Sequence, residues 1–281
     1  EGLFKDVDVA LHWHPADAND ANPGSALANK SAKFRFYGVA SHAGMAPDKG
    51  RSALDGVEAM DMMVNMMREH IPSDARIHYV ITNGGKAPNV VPDFAEVYYY
   101  VRHGNRKMVV DIFDRITKAA EGAALGTGTT MKYELIGGTH ELLPNTTLQK
   151  MMYANLVKVG GVQYTEAEKE FGNQIMQSLG IENGDLNKAA IVQPYKNLDP
   201  SFGSTDVGDV SFAVPTAGMG SATWVPGTPA HSWQAVAAGG TDIGNKGMMV
   251  AAKTIALTAI DLFLHQDQIA KAKAELEEKR G

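Results

Sequence analysis

The 281-residue sequence contains no cysteine. That excludes a disulfide framework, a thiolate nucleophile and any cysteine-built metal site, and it is compatible with a reducing cytosol. A basic footprint is also missing. The 26 Lys and Arg against 32 Asp and Glu give a formal net charge of −6, with no cationic stripe, so nucleic acid is not expected as a partner. The first residues, Glu1 to Asp6, have no initiator Met, basic segment or apolar core, which argues against a signal peptide there. The longest apolar run, 247–264, is broken by Lys253 and Asp261 and is expected to be a buried helix rather than a membrane span. No internal repeat, low-complexity tract or H-E-x-x-H metal motif is present.

What remains is a globular composition, 44% apolar and 21% charged, with length for two domains at roughly 100–200 residues each. The 14 Met fall mostly in helical segments, where they fill core gaps. Residues 6–13 form a short apolar strand ending in a His-Pro turn, and 15–31 have the composition of a linker. From residue 33 to 142 the pattern predicts strand (33–40), helix (51–70), strand (76–82), strand (94–102), helix (106–124) and strand (129–136). This β-α-β-β-α-β order is that of a ferredoxin-like domain. Ala53, Leu54, Val57, Met60, Val64 and Met67 supply its first helix with an apolar face of 3.6-residue period. Helices are expected over 146–159 and 165–179, loops over 180–210, a glycine-bearing strand over 215–224, and a long closing helix from Asn245 whose charged tail, 266–280, is solvated.

Histidine is the informative probe of chemistry, because neutral imidazole ligates zinc and titrates near neutrality. Of the nine, His70, His78, His103, His140 and His265 fall on predicted helix or strand surfaces with no polar constellation around them. His12, His42 and His231 differ, since each lies at a strand end or in a Gly/Pro turn, where sites are commonly built. The plainer alternative is three turn histidines bonded to solvent or backbone. Asp206 and Asp209 serve equally well as turn carboxylates, and Asn89 as part of a hairpin loop. Arg102 is harder to dismiss, because a guanidinium on an otherwise buried strand needs an anionic partner.

Ser41-His-Ala-Gly44 with Pro47, Gly50 and Ala53, then Gly85-x-x-x-Asn-Val-Val-Pro92 and Arg102, then Thr228-Pro-Ala-His231, resemble the amidohydrolase branch of the dinuclear-metal aminoacylase/carboxypeptidase family of metallopeptidases. The likeness runs over essentially the whole chain, in order. It implies an α/β fold: a mixed-sheet catalytic body, here residues 1–32 and 143–281, interrupted by a ferredoxin-like dimerisation domain at 33–142. It implies hydrolysis of the amide bond of an N-acyl or N-aroyl amino acid, such as aminobenzoyl-glutamate, with two divalent metal ions, zinc or manganese, in the intact parent. His12 matches a terminal ligand to one metal and His231 the last ligand, on the other. His42 matches the residue that reaches into a partner subunit's active site and stabilises the oxyanion. Asn89 and Arg102 match positions that bind the substrate's carboxylate side. The partner implied is a second copy joined through 33–142, or a related subunit in a heteromer.

The sequence departs from that family in one respect. Relatives draw three further metal ligands and a general-base glutamate from a segment ahead of the point where this chain starts, and residues 1–31 hold no Glu-Glu or Glu-His pair to replace them. Catalytic zinc normally has three protein ligands. The chain is therefore expected to be the C-terminal part of a longer protein, inactive and metal-poor by itself. Two alternatives come from other classes: a non-catalytic dimerisation or binding module, and a ferredoxin-like ligand sensor fused to a helical domain, which suits the topology of 33–142 but leaves the Thr228 to His231 turn unexplained.

Overall fold

The computed structural model describes residues 2–22, 24–196, 199–200 and 203–280. The expected linker at Pro23 and the expected loop at 197, 198, 201 and 202 lie outside them. The chain order begins β1 (Ala10–Ala16), β2 (Gly24–Ser25), β3 (Ala28–Tyr37), α1 (Ala53–Met67), β4 (Arg76–Asn83), β5 (Phe94–His103), α2 (Arg106–Thr127) and β6 (Thr130–Thr139). It continues with α3 (Thr146–Val159), α4 (Glu166–Ser178), β7 (Asp199–Pro200), α5 (Val207–Ala213), β8 (Thr216–Ala222), α6 (Trp233–Gly239), α7 (Asp242–Leu264) and α8 (Gln266–Arg280). The result is a mixed α/β protein with both parallel and antiparallel pairing. It divides into two compact units: a sheet unit, Ala26–Leu142 with Ser201–Asp209, and a body unit, Glu1–Ser25 with Leu143–Pro200 and Val210–Gly281.

The sheet unit carries an antiparallel sheet in the order β4-β5-β3-β6. Alternation sends Ala32, Phe34 and Phe36 of β3 and Val97, Tyr99 and Val101 of β5 into one apolar core with Val57, Met60 and Val64 of α1 and Ile112, Phe113 and Ile116 of α2. Phe34 meets Tyr99 edge-on at 5.9 Å, and each such fully buried side chain contributes about 2–3 kcal/mol. α1 starts where the Ser52 side chain accepts the Asp55 N–H, and α2 ends at Gly128 in the left-handed region (φ 66°). The opposite face of the sheet is polar: Arg35 bridges Glu96 and Glu134, each at 2.7 Å. The strand expected over 33–40 occupies Ala28–Tyr37 instead, because Ala28 to Ser31, linker-like in composition, pair with Tyr100 to His103 of β5.

In the body unit β1 and β8 pair in parallel from Ala10↔Thr216 to Ala16↔Ala222. The first strand thus occupies Ala10–Ala16 rather than the expected 6–13, and His14 and Pro15 lie within it rather than in a turn. The partner strand overrides the turn signal, and a proline is tolerated where a strand pairs on one side. α7 lies tight against β8, with the Ser221 hydroxyl donating to the Gly247 carbonyl at 2.6 Å. It buries Val250, Ala251, Thr254, Thr258 and Leu262 and leaves Ile260, Phe263 and Leu264 exposed, so the helix expected to be buried is buried on one side. The helix is long and apolar enough to cross a membrane by length and composition alone. The closing helix breaks at His265, and its expected solvated tail is a separate helix, α8, that buries Ala272 and Leu276. Glu275 explains the docking. Burial opposes its ionisation, yet bonds from Lys279, the Thr147 hydroxyl and the Thr146 and Thr147 N–H groups pull its pKa down to about 2 at the N-terminus of α3.

Candidate active site

His42 stands on the turn that follows β3, held by a short ladder to the segment that precedes β5. The Ala43 N–H donates to the Asn89 carbonyl at 3.0 Å and the Val91 N–H to the Ser41 carbonyl at 3.0 Å. His42 itself bridges to Val90. The motif glycine Gly50 allows this closeness, since a Cβ there would fall 2.5 Å from the Ser41 Oγ. The ring is exposed, and its Nδ1 accepts the N–H groups of Gly44 at 3.2 Å and Met45 at 3.1 Å. A nitrogen that accepts two hydrogen bonds carries no proton, which assigns the ring hydrogen to Nε2. His42 therefore presents a fixed N–H donor to solvent.

Asn89 is exposed beside it, and the two residues share one end of the sheet. Arg102 does not. It lies eight residues along β5 from Phe94, about 27 Å at the rise of an extended strand, and so at the far end. It sits in the pairing between Asn29 of β3 and Arg76 of β4, with its guanidinium 5.7 Å from the Tyr100 ring centre. Its Nε is buried and has no hydrogen-bond acceptor among the described residues. The need of this guanidinium for an anion, legible in the sequence, thus narrows to one atom, while the company it keeps was invisible without strand register.

The body unit holds His12 and His231. The His12 ring lies over Gly218 of β8, where any Cβ would come within 2.1 Å of its Nε2. Burial, and next the neighbouring charge of His14, lower the His12 pKa, which keeps the ring neutral and able to ligate. His14, exposed on the same strand, bonds its Nδ1 to the Pro15 carbonyl. His231 precedes Ser232, the N-cap of α6, and has a φ of 62°, the one positive value outside glycine among the described residues. A backbone conformation of that kind is retained where local structure dictates side-chain direction. Among the described residues no group of three or more His, Cys, Asp or Glu gathers in a way that could hold a metal.

Two of the five remaining histidine positions set aside as bland have ionic partners. His103 meets Asp74 at 3.2 Å, and His140 pairs with Asp209, which also accepts the His140 N–H. A groove of about 850 Å³ lies along β6, lined by Lys30, Val109, Leu135, Ile136, His140 and Asp209, and none of the five candidate residues borders it.

Residues 28–127 match the family model of a peptidase dimerisation domain. Over 98% of its length the chain is 41% identical to a p-aminobenzoyl-glutamate hydrolase subunit of Escherichia coli (strain K12), covering 62% of that protein. It is 30% identical to Xaa-Arg dipeptidase of Mus musculus, over 93% of this chain and 54% of that one. In fold it matches the crystal structure of aminobenzoyl-glutamate utilization protein from Klebsiella pneumoniae with a TM-score of 0.59 and 20% identity, over 92% of this chain and 56% of that one. The chain thus spans little more than half the length of these relatives.

Proposed function

We propose that this chain, whose residues 28–127 are a peptidase dimerisation domain, is part of a hydrolase that cleaves the amide bond of an N-acyl or N-aroyl amino acid, with aminobenzoyl-glutamate the favoured substrate. The observation that carries the proposal is the outward Nε2–H of His42. A donor fixed before the reaction, pointing where negative charge develops on a carbonyl oxygen, stabilises a tetrahedral oxyanion and costs no reorganisation. The 41% identity to a hydrolase component supports the same assignment. In it Asn89 and Arg102 orient the substrate, Arg102 by a forked bond to a carboxylate.

His42 and Arg102 are too far apart to hold one substrate within one chain, so two copies must share each site. The antiparallel sheet, with both helices on one face, supports a ferredoxin-like dimerisation domain inserted between the catalytic-body segments 1–32 and 143–281. Its edge strand β4 exposes Tyr79, Val80 and Ile81, and α1 exposes Met62, Met63 and Met66 beside it. An isologous pairing of two β4 edges, antiparallel about their middle, sets Arg76 of each copy opposite Asn83 of the other. That brings one copy's His42 loop toward the other's Arg102.

His12 and His231 are the ligand candidates for two divalent ions, zinc or manganese. The described residues do not by themselves make that metal centre. The same fact favours the second reading, a dimerisation module without catalysis of its own.

Mixing two inactive variants of the active hydrolase separates these. If His42→Ala and Arg102→Gln damage different copies of one site, a one-to-one mixture regains about a quarter of wild-type turnover, since half the dimers carry one intact site. No recovery would overturn the shared site, and full activity of each variant alone would favour the module.

A further inference from the structure

Three polar side chains stand in one row across the polar face of the sheet, the face that carries Arg35 and Glu96. Asn29 of β3 pairs with Arg102 of β5 on one side and with Thr139 of β6 on the other. Residues directly opposed on neighbouring strands project from the same face, and neighbouring strands lie about 4.8 Å apart, so the row is about 10 Å wide. No carboxylate stands in it.

Both neighbours of Asn29 are incomplete. The Arg102 Nε and the Thr139 Oγ1 are buried, and neither has a hydrogen-bond partner among the described residues. Buried polar atoms are almost always hydrogen-bonded, so two orphans on either side of one residue mark a place where a partner is due. Asn29, half-buried between them, brings two amide N–H donors and one carbonyl acceptor. The row is also reached from solvent. Asn29 and Thr139 line the groove of about 850 Å³ along β6, which therefore comes within one strand of Arg102.

We infer that Asn29 is a further substrate-binding residue, which shares one carboxylate with Arg102, and that Thr139 is its positioning residue. This rests on the assignment of Arg102 as a carboxylate-binding group. The carboxylate accepts the fork of Nε–H and one Nη–H from Arg102 and a third N–H from the Asn29 amide, all of them charge-assisted bonds. The Thr139 hydroxyl donates to the Asn29 Oδ1, which turns the amide so that its N–H groups, and not its carbonyl, face the anion. Each orphan atom then has a partner.

Acetate is the probe, titrated against chloride at constant ionic strength into the purified 281-residue chain and followed by NMR. The Asn29 Nδ2–H₂ and Arg102 Nε–Hε signals are expected to shift along one saturating curve. Asn29→Ala should weaken binding about tenfold, the worth of one hydrogen bond to a charged group, and Asn29→Asp, of the same shape but anionic, should abolish it. Thr139→Val keeps the volume without the hydroxyl and should weaken binding about threefold, with Thr139→Ser restoring it. In the active hydrolase Asn29→Ala should raise KM about tenfold and leave kcat within about twofold, because the bond is made equally in the ground and transition states. If the Arg102 signal saturates while that of Asn29 stays still, or if Asn29→Ala binds acetate as wild type does, the role of Asn29 falls and that of Arg102 stands. Unchanged binding in Thr139→Val would overturn the positioning role. If neither signal moves, the carboxylate assignment of Arg102 itself fails, and the inference with it.

Discussion

The Asn89 carbonyl accepts the Ala43 N–H at 3.0 Å, so the turn that carries His42 and the segment that carries Asn89 are tied through their backbones. Substituting the His42 side chain leaves this ladder in place. His42→Ala should therefore lower kcat of the active hydrolase by about 10²- to 10³-fold, the usual cost of one oxyanion donor, with KM and dimer mass nearly unchanged. Steady-state kinetics with sedimentation velocity on the same sample checks it. A kcat within twofold of wild type would end the oxyanion assignment.

A second expectation concerns pH. Asp61 of α1 is 6% exposed in the core and accepts a hydrogen bond from the Tyr99 hydroxyl. Burial raises its pKa to about 6, against the opposing effect of the Tyr99 bond and with a small push from Glu58. A carboxyl whose folded pKa exceeds its unfolded value stabilises fully below the unfolded value and loses that contribution as pH rises through the folded one. The loss falls between about pH 4 and pH 6 and is of the order of 2–3 kcal/mol. Asp61→Asn keeps an acceptor for Tyr99 without the charge. It should match wild type in urea melts at pH 4 and exceed it by about 2–3 kcal/mol at pH 7.5. Equal stability at both pH values would show that Asp61 is not held protonated.

The order of elements in the sheet unit was legible because each carries its own period. The face of α1 at Val57, Met60 and Val64 and the alternation of β5 are both local signals, and both point inward. Strand ends were less legible. Ala28 to Ser31 has a linker's composition and becomes β3 because β5 and β6 offer pairing on both sides. Site geometry was legible in part. His42 stood out by its turn, but the state of its Nδ1 depends on two N–H groups that only the folded turn directs at it.

Gly218 offers a direct probe of His12. A methyl at this position would overlap the imidazole, with Nε2 2.1 Å from the new carbon, so the ring must leave its place over β8. Gly218→Ala should destabilise the chain by about 1–3 kcal/mol, as overpacking does, and move the His12 ring resonances while leaving those of His42 unchanged. An unshifted His12 signal would mean that the strand, and not the ring, gives way.

The proposed dimer surface can be tested without touching the core of the sheet unit. Val80 of β4 is 55% exposed and Met66 of α1 is 65% exposed, so neither contributes to folding as a buried side chain does. If two copies meet through this edge and helix, each substitution appears twice in the interface. Val80→Lys with Met66→Lys would then place four cations in an apolar seam, which opposes association through both lost contact area and repulsion. The dissociation constant should rise by at least about 100-fold, read by sedimentation equilibrium, while the thermal midpoint of a dilute, monomeric sample changes little. An edge charge of this kind is also what keeps natural exposed strands from pairing. An intact dimer in the double variant would move the interface elsewhere, and with it the proposed route by which His42 of one copy would reach Arg102 of the other.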